Sequence, residues 1–137
     1  MMHLHLSGKD STQPLFNLVA ALTDRARLRF REIRYDKSTG VVVIPIKRFP
    51  LLKQRRVLGN VHDDEHPIES QITIRNVESY EIKNLVTEPT MSDIMVQFGL
   101  NVKGNRIIAT SAEEDRGQTC FMMKIKVGEI DIEIVDK

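Results

Sequence analysis

A single cysteine in 137 residues excludes an intrachain disulfide, and with it the stapled scaffold of a small secreted domain. That residue, Cys120, opens the run Cys120, Phe121, Met122, Met123, where a small apolar side chain suits a core strand. Tryptophan is absent, and five phenylalanines and two tyrosines leave few rings for stacking bases. Long hydrophobic runs are missing too. The longest, Val41 to Ile46, is broken by Pro45, so neither a membrane span nor an export signal is expected. Reaction motifs are equally scarce: there is no phosphate loop, no nucleophile elbow, no His-Glu-x-x-His and no dinucleotide fingerprint. Taken together, these absences lead us to expect a cytoplasmic domain without a cofactor.

What remains is an ordinary globular composition, with 41% apolar and 28% charged residues. A chain of this length can bury one core unaided, so residues 1–137 are read as one domain. The net charge of +1 conceals a split. Residues 1–60 hold 12 Lys and Arg against 4 Asp and Glu, a net +8, whereas residues 61–137 hold 8 against 15, a net −7. Two complementary halves of one body, or of two copies, would account for it.

Alternation dominates the pattern. Arg25, Arg27, Arg29 and Arg31 interleave with Leu28 and Phe30, and Glu129, Asp131 and Glu133 interleave with Ile130, Ile132 and Ile134. A period of two puts each charge set on one side of a strand and its apolar set on the other. The cheapest arrangement sets the basic and acidic strands against each other across a sheet or a dimer contact. Pro14 in a first turn and Leu15, Leu18, Val19 and Leu22 at helical spacing predict one helix over about residues 13–24. The segment Asp36-Lys37-Ser38-Thr39-Gly40 predicts a hairpin turn. Ahead of it the apolar phase slips from Phe30 to Ile33, as a β-bulge near Arg31-Glu32 would produce. Further alternating runs from Ile68 onward bring the expectation to an all-β chain with one N-terminal helix. It would be an antiparallel β-sandwich or barrel of about seven or eight strands.

Three functional readings follow. The leading one is a non-catalytic binding domain for another protein, with a homodimer possible through the opposed ladders. The second is a metal-dependent small β-barrel enzyme: His3 and His5 at i and i+2 point the same way from a strand, and His62 and His66 could complete a divalent site. The third places an anionic ligand, a nucleotide or nucleic acid, on Arg25, Arg27, Arg29, Arg31 and Arg48. Nucleic acid is the weaker form of that reading, because the rings that would stack bases fit core positions.

Overall fold

The structure, a computed structural model, describes residues 3–8, 13–23, 26–48, 68–84, 95–112 and 119–137. Arg25, His62 and His66 lie outside the described residues. Among the described residues ten strands and one helix succeed one another: β1 (His3–Ser7), α1 (Gln13–Thr23), β2 (Ala26–Arg29), β3 (Arg34–Asp36), β4 (Val41–Arg48), β5 (Ile68–Ile74), β6 (Val77–Asn84), β7 (Met95–Lys103), β8 (Arg106–Ala112), β9 (Thr119–Val127) and β10 (Asp131–Asp136). All pair antiparallel in one sheet of order β1-β10-β5-β4-β2-β7-β8-β9-β6, with β3 on β4. The expected class is therefore present, but as ten strands of one continuous, unclosed sheet.

The higher count has local causes. A 3₁₀ turn at Phe30–Glu32, rather than a β-bulge, splits the first alternating run into β2 and β3. The Arg75-Asn76 corner splits the next into β5 and β6, with Asn76 at φ 59°, a left-handed conformation that asparagine tolerates. Between Asp36 and Gly40 the predicted turn closes through the Gly40 N–H on the Asp36 carbonyl at 2.9 Å, with Gly40 at φ 66°. Pro45 costs no ladder bond on one side of β4. There β3 pairs only as far as Val43 and β2 only at Lys47, so no strand neighbours residue 45.

Consecutive strands β5 and β6 sit far apart in the sheet order, as do β9 and β10. These two changes of position are made at corners that bond to one another: Arg75 N–H to the Asp131 carbonyl at 2.9 Å and Gly128 N–H to the Asn76 carbonyl at 3.0 Å. Val77 N–H reaches the Gly40 carbonyl at 3.0 Å, and the Tyr35 and Tyr80 rings stack 4.6 Å apart. The sheet consequently curls until β6 meets the β3–β4 hairpin.

Inside that curl the apolar phases line up in register. Leu6, Ile132, Ile74 and Val42 form one cross-strand row, and Leu4, Ile134, Ile72 and Ile44 form the next. Helix α1 closes the core with Val19 and Leu22 fully buried, while Leu15 and Leu18 pack at its margin, so the buried stripe is centred farther along the helix than the spacing alone suggested. The Thr23 hydroxyl donates to the Val19 carbonyl at 2.9 Å and accepts the Leu100 N–H at 3.3 Å. That amide lies past the point where β2 stops pairing with β7, so the helix end supplies the partner that the ladder lacks.

Candidate functional site

His3 and His5 share one side of β1, as their spacing predicts, and face the carboxylates of β10. His5 Nε2 lies 2.7 Å from Asp131 Oδ1, and His3 Nε2 bonds Glu133 Oε2. Arg75 clamps the same two acids from the corner, with Nη1 3.2 Å from Asp131 Oδ1 and Nη2 2.8 Å from Glu133 Oε1. Among the described residues no group of three His, Cys, Asp or Glu is arranged to hold a metal ion. The carboxylate ladder is thus answered by Arg75, His3 and His5. It does not meet the arginine ladder, because β5 and β4 stand between β10 and β2.

Within this clamp the Glu133 carboxyl is perturbed. Hydrogen bonds from Arg75 and then His3 hold the Glu133 carboxyl below its ordinary value of 4.5. A depressed carboxylate contributes stability that is fully present above the ordinary value and is lost as pH falls through the folded one. Melting of the wild type and of Arg75→Gln should therefore differ above pH 4.5 and converge in acid. Curves that stay parallel down to acid pH would show the clamp to be energetically idle.

The arginine ladder is not one surface. Arg27 and Arg29 point outward from β2, with Arg29 3.1 Å from Glu32, but the 3₁₀ turn carries Arg31 off the strand. Arg48 departs furthest from expectation. It is fully buried, with its Nε and Nη2 on Asp136 at 3.1 and 2.8 Å and Ser70 Oγ 2.6 Å from the same carboxylate. It shares the inward phase of Val42, Ile44 and Ile46, so its charge is neutralised inside the protein and is not offered to a ligand.

Among the described residues a basic surface lies in the half of the chain with the negative balance. On β8 and β9 the inward positions are Ile107, Ala109, Met123, Ile125 and Val127, and the alternate positions face out. Register then assembles three outward rows across β7, β8, β9 and β6. One reads Lys103, Arg106, Lys126, Ser79. The next reads Asn101, Ile108, Lys124, Glu81, and the third Gly99, Thr110, Met122, Lys83. Lys83, Lys103, Arg106, Lys124 and Lys126 are all exposed. Glu81 is the one acid in these rows, 4.0 Å from Lys83. Lys103 and Arg106 flank a two-residue loop in which Gly104, at φ 59°, provides the positive angle that a tight hairpin needs.

Between the rows lies a groove of about 290 Å³ lined by Ser79, Glu81, Arg106, Ile108, Lys124 and Lys126 among others. A second hollow, of about 110 Å³, is lined by Arg29, Glu32, Lys47, Glu69 and Lys137 among others, so acids there offset the cations. Sequence reading missed the basic rows because strand neighbours are not written in the sequence. Their local trace was available, however: Lys124 and Lys126 alternate with Met123, Ile125 and Val127 within a run that looks continuously apolar from its first half. Among the described residues no helix is long and apolar enough to cross a membrane. No protein-family model, curated protein or solved structure matches the chain.

Proposed function

We propose that the chain is a non-catalytic cytoplasmic binding domain whose working surface is the outward side of β6, β8 and β9 with the tip of β7, and that its partner is anionic. One observation carries the reading. Lys103, Arg106 and Lys126 stand directly opposite one another on three adjacent strands, with no acid in ion-pair range among the described residues. Neighbouring strands are about 4.8 Å apart, so like charges placed in this way work against folding. A partner carrying carboxylates or phosphates would turn that repulsion into attraction on contact. Self-association through the ladders has less support, because Asp131 and Glu133 are already bonded to Arg75, His5 and His3.

The test is calorimetric titration with poly-L-glutamate at low salt and again at physiological salt. Binding should be measurable at low salt and weaken steeply as salt screens the row. Absence of binding at low salt would end the proposal.

A further inference from the structure

We infer that the occupant of the basic face is an acidic protein segment carrying apolar side chains, not a nucleic acid. The inference rests on the anion-binding reading above and narrows it. Three features of the face favour a peptide. No aromatic side chain stands in any of the three outward rows, so bases would find nothing to stack on. Glu81 sits in the middle row beside Lys124, where a continuous phosphate chain would meet a carboxylate but a peptide can place an uncharged or basic residue. Ile108 and Met122 are half-buried and outward, which puts apolar contact area among the cations.

Spacing agrees with this. Outward residues Met122, Lys124 and Lys126 recur along β9 every second position, about 6.8 Å apart, and side chains on one side of an extended peptide recur at the same distance. A segment lying along β9 with the pattern apolar-x-acid-x-acid would therefore set an aliphatic group near Met122 and Ile108 and carboxylates near Lys124 and Lys126. Among the described residues none is free to supply such a segment, so the proposed occupant is a segment of another protein. The acidic strand of this chain, β10, has its outward carboxylates engaged internally.

Three probes decide between the sources: a peptide of repeating Leu-Ser-Glu-Ser-Glu-Ser, the same peptide with each leucine changed to serine, and a charge-matched oligothymidylate. Each is titrated into the wild type and into Ile108→Ser, with Met122→Ser in reserve if the first variant melts early. The leucine peptide should bind about tenfold more tightly than either other probe, the effect of burying one aliphatic side chain. Ile108→Ser should abolish that preference while leaving the charge-driven binding of the serine peptide in place. Equal binding of the two peptides, or a leucine preference indifferent to both variants, would overturn the apolar seat. An oligothymidylate that binds as tightly as the leucine peptide would overturn the assignment to protein while the face remained an anion site. If no probe binds, the anion-binding reading falls as well.

Discussion

Replacing Asp136 by alanine is expected to cost about 3 to 5 kcal/mol of folding stability, a large share of the roughly 5 to 15 kcal/mol that holds a domain together. The reason is what the substitution leaves behind. Arg48 is 0% exposed, Asp136 is 7% exposed, and the guanidinium makes two bonds to that carboxylate. Without Asp136 a full positive charge stays in the core, where desolvation is severe and Ser70 offers only a neutral oxygen. Arg48 Nη1 already has no hydrogen-bond partner, so the site has no spare acceptor to absorb the loss. The companion variant makes the attribution specific. Changing Arg48 to Met, Ser70 to Ala and Asp136 to Leu together removes every charge along with its partner, and should cost far less than Asp136→Ala alone. Denaturant unfolding of both variants measures this. A loss under about 1 kcal/mol for Asp136→Ala would mean that solvent reaches the pair and screens it.

The second large effect is on binding. Arg106→Gln with Lys126→Gln removes two charge-assisted contacts of about 1.5 to 3 kcal/mol each, so affinity for poly-L-glutamate should fall roughly a hundredfold or more. Stability should hold or rise slightly, because the two cations face each other directly across β8 and β9. That combination, binding lost and stability kept, is what distinguishes a working surface from a structural one. Arg27→Gln with Arg29→Gln is the control. It removes as many positive charges from β2, where Arg29 is already bonded to Glu32, and should leave affinity within a few-fold of the wild type. Equal losses in the two double variants would reduce the effect to net charge alone.

The elements legible in the sequence were those set by near neighbours in the chain. The hairpin turn could be read because Asp36 bonds both the Ser38 amide and hydroxyl, and because Gly40 takes the positive φ. The helix was legible from its spacing, and the all-β class from alternation. The buried clasp was also within reach, since Arg48, Ser70 and Asp136 each share the phase of the buried isoleucines on their own strands. A polar residue on the apolar phase of three strands is a signal in its own right. What alternation could not reveal was adjacency. Which strands lie side by side depends on the corners at Arg75-Asn76 and Gly128-Glu129, and only that order brings Lys103, Arg106 and Lys126 into one row. The net charge of residues 61–137 concealed the row, because it counts acids that stand elsewhere, such as Asp131 and Glu133 on the outward side of β10 and Asp136 in the core.

The most direct test of the basic face is a map of backbone amide resonances during titration with poly-L-glutamate at low salt. Shifts should concentrate on Ser79 to Lys83, Lys103 to Ile108 and Met122 to Lys126, and fade as salt is added. Shifts confined to Arg27, Arg29 and Lys47, with those three segments silent, would contradict the account and return the binding surface to the arginine ladder.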